Sequence, residues 1–448
     1  MNQLKFVVQR RRFGLGVLVL DATDSEHSVV PNIRNAIGKI PLVVVWNKID
    51  LMPRFNRYDQ VAMSKSIKKN VRPIASFAVS AKTQIGLVDL SEYLMQNLKG
   101  RDVFIMGAAN VGKSTLVKSL AEILAQSIFL KGSVKEAHRR KEQASSLKVT
   151  GSHLPGTTLQ AVRIPCFSSD RHALWDTPGI LNNRSLQYQH FPAHLMEPLS
   201  RPERIEIPTK EGGRVYFLKP GYTLLIESTW MRQEIHMDTN DNEHAPSGQD
   251  EECVLARIDL VAIDAHCGRP HARPSGAVMA QAYLHPSLRV RMVPISEAPD
   301  RATIPTSHIQ GIQQKIRKAT GHSDAGLEDE YGLPLKAFKD PKHRPDGSFR
   351  PGPKERGNNG KYYMDIVFPS LGWIALTNES GFTTIPHCVD GSVFSKRKSI
   401  YPTNLLSIMD EEGLEHQYEP EAMAEEGRER IRRAAREGRH SVSSAHTL

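Results

Sequence analysis

Two short polar motifs, Asn47-Lys48-Ile49-Asp50 and Ser80-Ala81-Lys82, stand upstream of the glycine-rich octapeptide Gly107-Ala108-Ala109-Asn110-Val111-Gly112-Lys113-Ser114, and each of the three comes after a short apolar run. Those runs are residues 41–46, 74–79 and 103–106. A short apolar run closed by a turn signal reads as a buried strand, and residues 114–123 carry helical periodicity, so residues 107–114 form a strand-to-helix loop. Backbone N–H groups of such a loop cradle phosphate oxygens, with the Lys113 ammonium reaching the β- and γ-phosphates and the Ser114 hydroxyl ligating Mg²⁺. Gly107, Ala108, Asn110, Val111, Gly112 and Thr115 complete the expected phosphate-side contacts.

The upstream motifs choose the base. The Asp50 carboxylate can accept hydrogen bonds from N1–H and the exocyclic amine of guanine, a donor pair that adenine does not offer. Asn47 and Lys48 would buttress base and loop, and Ser80, Ala81 and Lys82 complete the base side. Alone, Asn-Lys-x-Asp is also a plain strand-end turn; beside the Ser-Ala-Lys element and the phosphate loop it reads as guanine selection. Downstream come Gly156-Thr157-Thr158 and Asp176-Thr177-Pro178-Gly179. Asp176 fits a carboxylate that holds Mg²⁺ through water, the Gly179 amide a sensor of the γ-phosphate, and Thr158, or alternatively Thr157, the switch threonine.

Many small GTPases place a water-orienting Gln just after the Asp-x-x-Gly element; here that residue is Ile180. Intrinsic hydrolysis is therefore expected to be slow. Asn110 is the candidate for a compensating group, since in potassium-dependent GTPases an Asn at this loop position helps to hold K⁺ against the phosphates; its other reading is a residue that shapes the loop. In an ordinary GTPase the two upstream motifs come last, so the chain reads as a circularly permuted P-loop GTPase. Its old termini would be joined through residues 97–100, and the segment after Gly179 would lead directly into the C-terminal half of the chain.

Together with the motif order, several segments of that C-terminal half carry a family likeness. The chain is similar to the YqeH-type permuted GTPases, including the organellar nitric-oxide-associated proteins. The likeness runs through the motif order, Leu154-Pro155-Gly156-Thr157-Thr158-Leu159, Asp176-Thr177-Pro178-Gly179-Ile180-Leu181, Leu218-Lys219-Pro220-Gly221-Tyr222-Thr223-Leu224-Leu225, Ala256-Arg257-Ile258-Asp259-Leu260-Val261, and Gly372-Trp373. The resemblance implies GTP hydrolysis used to time assembly of the small ribosomal subunit, with GTP and GDP, small-subunit rRNA and its proteins as partners, Mg²⁺ and K⁺ as ions, and a mitochondrial setting, with a plastid or a bacterial-type cytoplasm as alternatives. Family members usually carry an N-terminal zinc ribbon of paired Cys-x-x-Cys. This chain starts almost at the first strand, so no zinc site is expected in it. Residues 231–252, polar and acidic, read as a surface insertion.

Composition is consistent with this reading. The 448 residues carry a formal net charge of +10 and a pI near 9.3, which favours a polyanionic partner. The basic stretch 336–361, with Lys336, Lys339, Lys342, Arg344, Arg350, Lys354, Arg356 and Lys361 among Pro and Gly, reads either as a solvated loop or as an rRNA-contacting arm. The four cysteines, Cys166, Cys253, Cys267 and Cys388, lack paired spacing and fit a reducing compartment. Arg10-Arg11-Arg12-Phe13 reads as a basic helix end feeding a strand at 16–20 rather than as a twin-arginine signal. No apolar run approaches membrane-spanning length.

The expected organisation is a guanine-nucleotide domain over 1–200, a β-rich α+β domain over 201–408 with a helix at 308–320, and a charged, helical or disordered tail over 409–448. Two competing functions remain open: a GTP-regulated RNA-binding module with negligible turnover, and a large-subunit assembly GTPase. Base selection is testable directly. Asp50→Asn presents a donor where the carboxylate accepted, so it should weaken GTP binding by about tenfold or more and move preference toward xanthosine triphosphate. Competition titrations with GTP, ATP and xanthosine triphosphate check this, and a wild type that takes ATP as tightly as GTP contradicts it.

Overall fold

The computed structural model describes residues 14–55, 57–130, 161–167, 172–180, 201, 203–209, 212, 214–228, 254–264, 276–302, 333–337, 346–357, 360–368, 371–389 and 394–401. The chain parts into two compact units, the first taking in residues up to Asn182 and the second running from Asn183 to Glu412. The boundary expected near 200, the acidic insertion 231–252, the helix expected at 308–320 and the tail 409–448 lie outside the described residues.

The first unit is a six-stranded sheet of order β3-β2-β1-β4-β6-β5. Its strands are β1 (Gly14–Asp21), β2 (Leu42–Asn47), β3 (Ala75–Ala78), β4 (Asp102–Gly107), β5 (Val162–Ile164) and β6 (Leu174–Asp176). All neighbouring pairs are parallel except β5 with β6. Strands β1, β2 and β4 are buried at every position, which is why their sequences are unbroken apolar runs rather than alternating ones. The helices are α1 (Ile33–Ile37), α2 (Arg57–Val71), α3 (Leu87–Asn97) and α4 (Lys113–Leu130). Parallel strands put all their carboxyl ends on one edge of the sheet. Asp21, Asn47, Gly107 and Asp176, which end β1, β2, β4 and β6, therefore share that edge with residues 79–82 after β3. From β1 the chain builds outward to β2 and β3; from β4 it builds the other way, to β6 and β5. The crevice between β1 and β4 is thus a topological switch point, the place where open α/β sheets bind ligands.

The join between α3 and β4 is as short as the sequence implies. Lys99 and Gly100 turn left-handed at φ 41° and 77°, and Arg101 N–H donates to the Leu98 carbonyl at 2.8 Å.

The second unit is β-rich and antiparallel. One sheet, of order β17-β14-β15-β10-β7, comprises β7 (Val215–Leu218), β10 (Val278–Leu284), β14 (Tyr362–Phe368), β15 (Gly372–Asn378) and β17 (Ser395–Lys398). The other, of order β11-β8-β9-β16-β13-β12, comprises β8 (Tyr222–Ser228), β9 (Val254–Ile263), β11 (Leu288–Pro294), β12 (Arg301–Ala302), β13 (Leu333–Ala337) and β16 (Phe382–Val389). Alternate residues of both sheets, among them Leu224, Ile226, Ile258, Ala282, Ile366, Ile374 and Phe382, make one apolar core. Cys388 lies in that core, its thiol directed at the Leu255 carbonyl at 3.6 Å, and His387 beside it pairs with Asp259 at 3.0 Å. The described part of the basic stretch is not a free loop. Lys336 stands on β13, Phe349 exchanges backbone hydrogen bonds with Thr384 at 2.7 and 3.0 Å, Arg356 stacks over Tyr362 at 5.6 Å, and Lys361 pairs with Glu379 at 3.7 Å. Backbone pairing and ring stacking hold these residues because the segment sits against sheet strands, a contact that a charge count does not reveal.

Candidate functional site

Asn47 is the joint of the site. Being the last residue of a fully buried strand, it is only 2% exposed, and its amide has both ends used. Nδ2 donates to the Val111 carbonyl in the phosphate loop at 2.9 Å, and Oδ1 accepts from the Ala81 N–H at 3.0 Å. Gly112 lies hard against this amide: a Cβ there would collide with Asn47 Nδ2, and its φ of 82° is strained for any residue with a side chain. The Ser80 hydroxyl accepts from the Thr83 N–H at 3.1 Å, and Ser119 on α4 donates to the Ala81 carbonyl at 2.8 Å. Loops far apart in sequence are therefore tied into one wall. Lys48, left-handed at φ 65°, turns its ammonium onto Asp21 at 2.6 Å. Asp50 lies in the 3₁₀ turn Ile49–Leu51, half-buried, with no side-chain partner among the described residues, while Lys82 and Thr115 are exposed.

On the phosphate side, Lys113 opens α4 and curls under its own loop, buried, donating to the Ala108 carbonyl at 2.6 Å. Gly179 packs beside it: a Cβ at that position would sit 3.1 Å from Ala109 Cα and 3.2 Å from Lys113 Nζ. The Ser114 hydroxyl donates to Asp176 Oδ2 at 3.1 Å. Asn110 sits at φ 61°, a left-handed conformation that Asn tolerates better than most residues, which suits a loop-shaping role. The backbone of Ile180 is laced to the loop as a parallel bridge with Ala108. Ala109 N–H donates to the Ile180 carbonyl at 2.9 Å, and Ile180 N–H donates to the Gly107 carbonyl at 3.1 Å. Thr177 anchors the same segment by donating to the Ile105 carbonyl at 2.8 Å. Gly156, Thr157 and Thr158 lie outside the described residues.

Burial dominates the electrostatics. It pushes the Lys113 ammonium down to about 8, partly offset by the Asp176 carboxylate and reinforced by Lys48. Burial likewise raises the Asp176 carboxyl, against Lys113 and the Ser114 hydrogen bond. Both charges are held in a place that disfavours charge; an incoming phosphate would partner Lys113 directly, and a cation would do the same for Asp176. Asp176 Oδ1 is buried and has no hydrogen-bond partner among the described residues. A carboxylate oxygen in want of a partner next to a serine hydroxyl is an oxygen donor set of the kind Mg²⁺ takes beside phosphates. Among the described residues no group of three His, Cys, Asp or Glu side chains gathers.

The sequence alone does not single out Asp21, Ser119 or the Ile180 backbone. Asp21 carries a usable signal, a carboxylate closing an apolar strand, the same placement as Asn47 and Asp176; the other two act through contacts with residues far along the chain.

Residues 102–196 match a family described as a 50S ribosome-binding GTPase. The chain is 30% identical over 207 residues to NO-associated protein 1, chloroplastic/mitochondrial, of Arabidopsis thaliana, covering 45% of this chain and 35% of that protein. It is 29% identical over 177 residues to YqeH of Bacillus subtilis, covering 39% and 43%, and 26% identical over 215 residues to nitric oxide-associated protein 1 of Homo sapiens, covering 39% and 28%. The matched stretch is thus less than half the length of each of these relatives.

The buried lysine makes a prediction about stability. Its folded-state value near 8 lies below the ordinary lysine value, so between those two pH values the unfolded chain binds more protons and stability rises with pH. Without nucleotide, Lys113→Met should therefore stabilise the first unit at pH 7 by on the order of 2–3 kcal/mol, and the gap to wild type should narrow toward pH 10. Urea titrations at the two pH values check it; a gap that does not change with pH contradicts it.

Proposed function

We propose that this chain, a relative of the YqeH-type GTPases, binds and hydrolyses GTP in a circularly permuted guanine-nucleotide domain and uses the nucleotide state to time its attachment to a maturing small ribosomal subunit. The observation that carries the reading is the assembly at one sheet edge of Asn47, residues 80–82, the phosphate loop and Asp176, from strands ordered β3-β2-β1-β4-β6-β5. That spatial order suits a guanine site, while the motifs that touch the base come first in the chain.

In this reading Asp50 takes the guanine edge, Asn47 holds the base loop to the phosphate loop, and the loop amides with Lys113 take the phosphate oxygens. Mg²⁺, which a GTPase domain implies, would be held by Ser114 and Asp176 together with Thr158, and would supply positive charge against the phosphate oxygens. Hydrolysis breaks the bond from the γ-phosphorus to the β–γ bridging oxygen as a water oxygen attacks in line; GDP and phosphate leave and the water's protons pass to phosphate and solvent. Lys113 stabilises the charge that builds up, and the Gly179 amide holds a γ-oxygen. The side chain of Ile180 has no atom to orient that water, so turnover is slow by itself. K⁺ near Asn110 would supply part of the missing charge; the left-handed backbone of Asn110 is equally what a loop-shaping residue needs.

The chloroplastic/mitochondrial name of the Arabidopsis relative supports an organellar setting, mitochondrion or plastid. One observation favours a second reading: the family matched over residues 102–196 is described by the 50S particle, which points to the large subunit. Co-sedimentation with separated small and large subunits, in GDP or in a non-hydrolysable GTP analogue, decides. The expected result is retention on the small subunit with the analogue and release with GDP. Retention on the large subunit replaces the assignment, and absence from both particles in either nucleotide refutes the ribosomal reading.

A further inference from the structure

The face of the β7-β10-β14-β15-β17 sheet that points away from the apolar core carries features that the nucleotide chemistry leaves unused. One register row across it is Phe217, Met279, Thr377 and Tyr363; the next is Val215, Gln281, Ala375, Asp365 and Arg397. Asp365 and Arg397 close one end of the second row as an ion pair at 3.1 Å. Beside Gln281, its register partner Ala375 adds nothing beyond a Cβ. A cavity of about 280 Å³ opens on this face.

Its lining is chemically specific. Phe217, 51% exposed, Tyr363 and Tyr401 give it aromatic walls, and Tyr401 is fixed by packing on Tyr283 at 5.3 Å. Gln281 is 2% exposed, lines the cavity, and its Nε2 has no hydrogen-bond partner among the described residues. A buried amide donor left unpaired is costly and calls for an acceptor. At the rim Lys361 and Glu379 stand 3.7 Å apart, each a little under half exposed.

We infer that this cavity is a binding site for a single nucleobase, stacked on Phe217 and the tyrosines, with an acceptor on its edge taking the Gln281 amide N–H. The size falls just below the range of pockets for drug-sized ligands, as suits one ring system. Aromatic walls accept any flat π-face, and a lone amide donor reads a ring acceptor. An apolar peptide side chain would leave Gln281 unpaired, which is why a base is the better occupant. The formal net charge of +10 favours an anionic carrier for that base. The site deepens the ribosomal reading and rests on it for the choice of single-stranded RNA, rather than free nucleotide, as that carrier.

The test uses the full chain with its guanine site saturated by GDP, and three probes: an adenosine hexaribonucleotide, a hexamer with the same backbone but no bases, and AMP. The hexaribonucleotide should bind at least tenfold more tightly than the abasic strand. Gln281→Leu and Phe217→Ala should each weaken it by roughly tenfold while leaving GDP affinity and the unfolding midpoint unchanged. AMP binding as tight as the hexamer's keeps the base site but assigns it to free nucleotides; weak AMP binding assigns it to a strand. Equal affinity for the abasic strand, or variants that bind like the wild type, overturns the inference. Loss of the base preference with subunit co-sedimentation intact removes this site and leaves the ribosomal reading standing, whereas the opposite pattern removes that reading and leaves the base site.

Discussion

The amide of Asn47 is the contact on which the candidate nucleotide site depends. It is buried at the end of β2, spends its donor on the phosphate loop at Val111 and its acceptor on the base loop at Ala81, and is pressed by a glycine that has no room for a side chain. Loops after β2, β3 and β4 converge on it because parallel strands bring all their carboxyl ends to one edge. Breaking the bridge would leave a buried carbonyl and a buried N–H without partners, which costs more than the net worth of the two hydrogen bonds. The proposed base side and the proposed phosphate side are therefore held as one object, whatever order the chain visits them in.

Around that joint the structure holds charges in unfavourable surroundings. Lys113 and Asp176 are both pushed toward neutrality by burial, and among the described residues one Asp176 oxygen has no partner. Functional sites often carry such a cost, because groups arranged for a ligand cannot also be arranged for themselves. The backbone of Ile180 adds a mechanical element. Its two hydrogen bonds to the phosphate loop couple the segment beyond Asp176 to the loop itself, so any rearrangement of one must break or carry the other.

Much of this is legible from residue order and type, for reasons that also explain where reading fails. Strands β2 and β4 can be read because a buried parallel strand is an unbroken apolar run ended by a polar or glycine turn, and residues 107–114 can be read because phosphate cradling demands glycines and a lysine at fixed offsets. The antiparallel unit is legible only as alternating short segments. Which strand pairs with which, as β10 with both β7 and β15, depends on packing between residues scores apart and leaves no local mark. The basic stretch misleads in a similar way: its charges are plain, but the stacking of Arg356 on Tyr362 and the backbone pairing of Phe349 with Thr384 are not. At the site, Asn47 stands out by its type, yet its partner Val111 offers only a carbonyl, and every residue has one. Asp21 does not stand out, because a carboxylate at a strand end has many uses until Lys48 is seen against it.

If Asn47 makes one site of two, a ligand with phosphates and no base must feel its loss, and inorganic tripolyphosphate is such a ligand. Calorimetric titration of GTP and of tripolyphosphate into the wild type and Asn47→Ala should show both ligands losing affinity together, by about tenfold, because the phosphate loop loses its tether at Val111. If GTP binding falls while tripolyphosphate binds Asn47→Ala as tightly as it binds the wild type, Asn47 serves the base alone and the two halves are not a single joined site.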